Sequence, residues 1–118
     1  MAMCAPEVPC GRYAALALER DGVTVKPSSL EEHTRAVVSK VALGEADAGI
    51  VYATDVLAAG GDVEGVPIES AGDDAIVAVY PIAVATTSNS RGTAAAWVDF
   101  VRSDEGADTL RRFGFLTP

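Results

Sequence analysis

The hydrophobic positions of the chain follow two alternating spacings. Some stretches repeat every second residue, as strands do, and others repeat at helical spacing, with glycine and proline at the joints. The clearest early example is a helix over 9–20, in which Tyr13, Leu16 and Ala17 share one face and which Gly22 would end. Alternation of the two patterns along one chain predicts an α/β domain.

Local signals predict the remaining elements. Ser28 and Ser29, each followed three residues later by Glu31 or Glu32, resemble capping boxes and predict the start of a second helix that Gly44 would end. The other predicted strands are one over 23–26, a buried central strand over 49–52, one over 66–68, and an alternating strand over 75–85 that Pro81 interrupts. A short helix over 54–60 would be capped by Thr54 or Asp55. Two helices are predicted at the end of the chain: one carries Ala96, Trp97, Phe100 and Val101, and the last runs from a Ser103 cap to Arg112 and is ended by Gly114.

The composition limits the size and the partners of this domain. A chain of 118 residues is the size of one domain, and its 49% hydrophobic content supports a core. Only 6% of the residues are aromatic, and three of them, Trp97, Phe100 and Phe113, lie at helical spacings that predict core positions. The net charge of −8 would repel a phosphate backbone, so we expect no nucleic acid partner. No run approaches the roughly 20 apolar residues of a membrane span, and residues 1–9 lack the features of a signal peptide.

The two cysteines leave two alternatives open. Cys4 and Cys10 match no zinc-binding spacing, and the chain has one histidine. The cysteines are either reduced thiols or close a short loop across Pro6 and Pro9, depending on the redox compartment. We expect no metal site and no cofactor.

Two helix starts and one strand end have the chemistry to bind an anion. The turn at Pro9, Cys10 and Gly11 leads directly into a helix, so backbone N–H groups near Cys10 would face outward at the positive end of the helix dipole. The first turn of the second helix offers similar amides. Tyr52 ends a predicted strand, and ligands of open α/β sheets bind beyond the carboxyl ends of the strands. The structural alternative is that any helix after a proline has this geometry, and that Tyr52 packs with a solvated hydroxyl.

A thiol enzyme is a second class of function that these residues allow. Cys10 would be the nucleophile, activated by the helix N-terminus, with His33 as its base and Asp55 as the orienting carboxylate. Nothing in their spacing brings the three together. A surface position for His33 and an N-cap role for Asp55 explain both residues without catalysis, so we expect no catalytic residues.

Five segments of the chain together resemble a known protein family. In chain order they read CAPEVPCGRYA over 4–14, EHTRAV over 32–37, GEADAGIVYATD over 44–55, YPIAV over 80–84 and FGF over 113–115. They are similar to the second half of the molybdate-binding proteins of bacterial molybdate ABC importers. The resemblance implies a type II periplasmic-binding-protein fold, in which two α/β lobes close around a tetrahedral oxyanion. Residues 1–118 would be one such lobe, a mixed sheet flanked by helices.

The resemblance also implies the ligand and its contacts. The family's oxyanion contacts in this half fall on the backbone amide of Cys10, the backbone amide of Thr34 and the hydroxyl of Tyr52. The implied ligand is molybdate or tungstate, and the implied partner is the membrane permease of an ABC importer. His33 stands where the family commonly has asparagine or aspartate. Neutral donors and helix dipoles in a dry cleft hold an oxyanion without a counter-charge, which suits a net charge of −8.

The resemblance further predicts what this lobe lacks. No segment before Cys4 supplies the serine or threonine hydroxyls of the family's first lobe, so we expect an incomplete site in this chain. The family chain returns to its first lobe near residue 80, so segment 80–118 would lack its packing surface, and a domain-swapped homodimer is one way to cover it. A location in the periplasm or outside the cell envelope favours a disulfide between Cys4 and Cys10.

The alternative function in the same fold is the ligand-sensing effector domain of a transcriptional regulator, since such regulators reuse the two-lobed architecture. An upstream helix-turn-helix would distinguish the regulator. An upstream signal peptide with a first lobe rich in serine and threonine would distinguish the importer.

Overall fold

The computed structural model describes residues 1–68 and 76–117, which belong to two compact units, Met1–Ala78 and Val79–Pro118. The elements of the first unit are β1 (Ala2–Cys4), α1 (Pro9–Arg20), β2 (Ser29–Glu31), α2 (Thr34–Ala42) and α3 (Ala53–Ala58). The elements of the second unit are α4 (Arg91–Arg102) and α5 (Asp104–Arg112). Of the described helices, none is both long enough and apolar enough to cross a membrane.

β1 is the central strand of a small parallel sheet in the first unit. It pairs with β2 from Ala2 opposite Ser29 to Cys4 opposite Glu31, and a single parallel bridge joins Ala2 to Gly49 at its other edge. Helices connect these segments, as parallel pairing requires. The predicted α/β class is confirmed. The sequence led us to expect a mixed sheet, and the strand pairs among the described residues are all parallel.

The core of the first unit is built largely from small side chains. All of β1 is buried, and its residues Ala2 and Cys4 pack in one cluster with Cys10, Val37 and Ala46. Ala14 and Ala17 are the buried alanines of α1 and allow the helix to lie close to the sheet. Because hydrophobic stabilisation grows with the apolar area buried, at roughly 25 cal/mol per Å², such a core contributes less per residue than one of leucine and phenylalanine.

Glycines end the helices as the sequence predicts. Gly22 follows α1 with a φ of 66°, a backbone conformation that favours glycine. The amide of Val23 then donates back to the carbonyl of Leu18 (2.8 Å), which satisfies an acceptor left open at the helix end. Gly44 after α2 and Gly114 after α5 show the same arrangement. These three predicted helix ends are confirmed.

The second helix begins later than predicted. α2 starts at Thr34 with His33 as its N-cap, and Nδ1 of His33 accepts a hydrogen bond from the amide of Ala36 (3.1 Å). The predicted first turn, with its caps at Ser28 and Ser29, is instead occupied by β2, because pairing with β1 outweighs the local capping signal. The strand predicted over 23–26 is also wrong, since the strand between α1 and α2 is β2.

Three other predicted strands are not formed in the described residues. The segment 49–52, predicted as a buried central strand, makes only the bridge at Gly49, and its residues are half-buried. The segment 66–68 is exposed and unpaired by any described strand, as is most of 76–85, while Ala75 lies outside the described residues. These runs have the composition of strands, but no described strand lies beside them to complete a ladder.

The two helices predicted at the end of the chain are confirmed in the second unit. Ser103 is the N-cap of α5, as predicted, and its Oγ accepts a hydrogen bond from the amide of Gly106 (3.3 Å). A Cβ on Gly106 would overlap the carbonyl oxygens of Phe100 and Val101. Glycine therefore allows α5 to lie close against the end of α4.

The aromatic residues of the second unit are exposed, so their predicted core positions are wrong. Trp97 is 59% exposed and Phe113 is 65% exposed, and Phe100 is exposed as well. The rings of Trp97 and Phe100 stack on each other with their centroids 5.5 Å apart. Helical spacing correctly placed apolar residues on a helix, but spacing does not show whether another surface covers them.

Candidate functional site

Three helices of the first unit begin at one edge of the sheet. β1 leads into α1, β2 leads into α2, and the bridge at Gly49 leads into α3. Because the pairing is parallel, the carboxyl ends of these segments lie at the same edge, which is where ligands of open α/β sheets bind. Each predicted contact residue lies at one of these starts: Cys10 in the first turn of α1, Thr34 as the first residue of α2, and Tyr52 as the N-cap of α3.

A disulfide and a close backbone approach fix the start of α1. The sulfur atoms of Cys4 and Cys10 are bonded, with Cα atoms 5.8 Å apart, so the end of β1 is tied to the first turn of the helix. A Cβ on Gly11 would overlap the backbone carbonyl of Ala5, so glycine is needed where the helix meets this backbone. Arg12 Nη1 donates to the carbonyl of Glu7 (2.8 Å) and braces the same turn.

Asp55 lies inside α3 and is not its N-cap, which corrects the sequence prediction. It is the third residue of the helix, and its Oδ2 accepts a hydrogen bond from the amide of Tyr52 (3.2 Å), as the carboxylate of a capping box does. Its Oδ1 accepts a hydrogen bond from Oγ1 of Thr34 (2.9 Å). One carboxylate therefore links the starts of α2 and α3.

The two amides predicted to contact an oxyanion have no acceptor among the described residues. In the part of the chain that the structure describes, no group accepts a hydrogen bond from the amide of Cys10 or from that of Thr34, whereas Gly11 N donates to Val8 O (3.1 Å). Both helices are long enough to carry a dipole, and unpaired amides at the positive end of a helix attract anions. The geometry at these two residues is thus suited to an oxyanion.

A cavity of about 780 Å³ lies beside Cys10 and Tyr52. The ring of Tyr13 meets the ring of Tyr52 edge to face, with centroids 6.2 Å apart, and both residues line this cavity. The other lining residues come from α1, from 49–56, from 64–68 and from Ile76 and Ala78. The structure therefore brings Cys10 and Tyr52 to one cavity, and Asp55 connects Thr34 to Tyr52.

Tyr13 is a neighbour of the site that the sequence predicts only as a residue on one face of α1. It lies three residues after Cys10 on α1, and residues at this spacing share one helix face. The spacing of three residues from Cys10 is the sequence signal that places Tyr13 beside the site.

The residues of the hypothetical thiol enzyme have structural partners instead. The sulfur of Cys10 is part of the disulfide, so it offers no thiol nucleophile. His33 is exposed and caps α2, while the carboxylate of Asp55 bonds to Thr34 and Tyr52. Among the described residues, no group of three histidine, cysteine, aspartate or glutamate side chains is placed to hold a metal ion.

Lys40 of α2 pairs with a carboxylate of β2 and with a second carboxylate beyond the end of α2. Lys40 Nζ lies 3.2 Å from Oε2 of Glu45 and 3.7 Å from Oε1 of Glu31. The hydrogen bond with Glu45 and the negative charges of Glu31 and Glu45 raise the pKa of Lys40. Lys40 thereby connects α2 to the carboxyl end of β2 on the protein surface.

Comparison with known proteins supports the resemblance seen in the sequence. The chain matches the family model described as bacterial extracellular solute-binding protein over residues 1–116. It is 35% identical over 117 residues to the molybdate-binding protein ModA of Mycobacterium tuberculosis, which covers 98% of this chain and 44% of that protein. It is 32% identical over 113 residues to ModA of Escherichia coli, which covers 92% of this chain and 42% of that protein.

A third relative comes from Bacillus subtilis. The putative ABC transporter substrate-binding lipoprotein YvgL of Bacillus subtilis is 29% identical over 119 residues, which covers 98% of this chain and 45% of that protein. The chain thus spans less than half the length of these curated relatives. No solved structure was found to match it. Because the family model covers nearly the whole chain, the chain belongs to the family of bacterial extracellular solute-binding proteins.

Proposed function

We propose that this chain forms one lobe of the substrate-binding component of a bacterial ABC importer and that it binds a tetrahedral oxyanion, molybdate or tungstate. The relatives named above are molybdate-binding proteins and a substrate-binding lipoprotein of an ABC transporter, which supports this ligand class. The same names favour the importer over a transcriptional regulator. The partner would be the membrane permease of the importer, and the location would be the periplasm or the outside of the cell envelope.

The pair of open amides at Cys10 and Thr34 carries this proposal. Each lies at the start of a helix, and both helices start at the carboxyl edge of the sheet. With the hydroxyl of Tyr52 as the third donor, the ligand would be held by neutral groups and helix dipoles. Such a site suits a protein whose net charge is −8, because it needs no lysine or arginine at the ligand.

A single lobe would hold the oxyanion from one side only. Solute-binding proteins gain affinity when two lobes close on the ligand and exclude water, so we expect weak binding by this chain alone. We propose that residues 1–118 are one lobe and that segment 80–118 packs against a partner lobe. The exposed aromatic side chains of Trp97 and Phe113 support this proposal, because a partner lobe would cover them. A domain-swapped homodimer would also cover them.

Calorimetric titration of the chain with four anions tests the proposed ligand. We expect molybdate and tungstate to bind, with dissociation constants in the millimolar range or tighter, and sulfate and phosphate to bind more weakly. Stronger binding of sulfate or phosphate would contradict the proposed ligand. An absence of heat with all four anions at millimolar concentration would show that this chain does not act as a receptor by itself.

Proline at position 34 tests the role of the Thr34 amide. Thr34 is the first residue of α2, where proline is tolerated, and His33 before it is already extended (φ −156°, ψ 159°), as a residue before proline must be. Thr34→Pro therefore removes the N–H with little change to the helix. We expect it to bind molybdate roughly tenfold to a hundredfold more weakly than Thr34→Ala, since a donor to a charged group is lost.

Thr34→Ala is the matched control, because it lacks the same hydroxyl but keeps the amide. Titration calorimetry of both variants, together with circular dichroism to confirm that α2 is intact, provides the comparison. Equal affinities of the two variants would show that the Thr34 amide does not contact the ligand.

A further inference from the structure

The carboxylate of Asp55 joins two elements that are separate along the chain. One oxygen accepts from the hydroxyl of Thr34 at the start of α2 (2.9 Å), and the other accepts from the amide of Tyr52 at the N-cap of α3 (3.2 Å). Both bonds are partly buried, and a carboxylate acceptor makes a hydrogen bond stronger than one between neutral groups. α2 and α3 are thus held together at the edge where the anion is proposed to bind.

We propose that Asp55 is a positioning residue for the oxyanion site. The inference rests on the function proposed above, in which the Thr34 amide and Tyr52 contact the ligand. An ionised carboxylate only accepts hydrogen bonds, so Asp55 itself offers no donor to an anion. It acts by fixing the distance between two residues that do, and binding sites require their contacts to be held within about 0.5 Å.

The link also determines which group of Thr34 faces the ligand. The hydroxyl is engaged by Asp55, while the amide of the same residue has no acceptor in the described part of the chain. Threonine is stiff at χ1, so once the hydroxyl is held, the side chain cannot readily turn towards an anion. Asp55 therefore leaves the amide as the donor of Thr34.

Removing the Thr34 hydroxyl breaks this link and leaves the negative charge of Asp55 in place. Thr34→Val keeps the amide, the branched side chain and the carboxylate, and deletes only the hydrogen bond to Asp55. We expect molybdate to bind roughly tenfold more weakly to Thr34→Val than to the unmodified chain. Thr34→Ser, which keeps the hydroxyl, should restore the affinity to within about twofold, whereas a general packing defect at this position would not be rescued by the smaller residue.

Asp55→Asn in the Thr34→Val background tests whether the two residues act through the same bond. We expect no further loss of molybdate affinity, because the bond through which Asp55 acts on α2 is already absent. A further tenfold loss in the double variant would overturn the inference, since Asp55 would then act by another route. Titrations are made well below the melting temperature of every variant, so that a change in stability does not enter the dissociation constant.

Hydrogen exchange in the ligand-free chain distinguishes failure of this inference from failure of the proposed function. Thr34→Val frees one side of the carboxylate that holds the Tyr52 amide, so we expect that amide to exchange several times faster than in the unmodified chain and in Thr34→Ser. Faster exchange without any oxyanion binding would retain the link between α2 and α3 and reject oxyanion binding by this chain alone. Molybdate binding that is equal in Thr34→Val and the unmodified chain, or unchanged exchange at Tyr52, would overturn the inference.

Discussion

Replacing Gly11 by alanine is expected to lower the free energy of unfolding of the first unit by about 3 kcal/mol or more. A Cβ at this position would overlap the backbone carbonyl of Ala5 and come within 2.9 Å of the carbonyl oxygen of Cys4. Both are main-chain atoms at the end of the central strand, and the disulfide at Cys10 holds the helix against them. Neither the helix nor the strand can move away without breaking packing in the core.

The measurement is urea unfolding followed by circular dichroism. Gly92→Ala is the matched control, because it makes the same substitution in α4, where no atom of the described residues lies within 4 Å of the added Cβ. We expect the control to leave stability unchanged or to raise it by about 0.5 kcal/mol, since alanine is the better helix former. If Gly11→Ala unfolds at the same urea concentration as the unmodified chain, the close approach of α1 to β1 is incorrect.

Removing the disulfide between Cys4 and Cys10 is expected to cost about 2 kcal/mol of stability. The bridge closes a short loop with a sequence separation of 6, and the loss follows from the freedom that the unfolded chain regains without it. The bridge also ties the Cys10 amide to the sheet. We therefore expect the same variant to bind molybdate more weakly, because that donor would no longer be fixed.

Cys4→Ala with Cys10→Ala is the suitable variant for this measurement. Cys4 is 2% exposed and Cys10 is 8% exposed, so a reductant would reach the bridge slowly in the folded protein. Alanine leaves both buried positions apolar, whereas serine would add a buried hydroxyl. Identical melting curves for the double variant and the unmodified chain would contradict a stabilising role for the bridge.

Features of the fold that depend on nearby residues could be predicted from the sequence. Gly22, Gly44 and Gly114 each follow a helical run, and each ends a helix in the structure. Ser103 caps the last helix for the same local reason. Segments whose conformation depends on distant partners were predicted incorrectly. Ser29–Glu31 carries a local helix signal but pairs with β1. β1 itself has three residues, which are too few to show the alternating hydrophobic pattern of a strand.

In the candidate site, too, local features could be predicted from the sequence and long-range contacts could not. The chemistry of the Cys10 turn and of Tyr52 at a strand end is visible in the sequence, and the choice of Thr34 came from the family resemblance. The bond from Thr34 to Asp55 spans a separation of 21 residues, so no local pattern predicts it. The exposure of Trp97 could not be predicted either, because the spacing of residues on a helix does not show which surface packs against them.

The position of β1 has a consequence for the order in which the sheet can be assembled. β1 precedes both of its described neighbours in the chain and lies between them, with β2 on one side and Gly49 on the other. On the ribosome, the central strand is therefore available before either neighbour has been synthesised. Each later segment can add to an open edge of a strand that is already present, and none of these segments has to insert between two others.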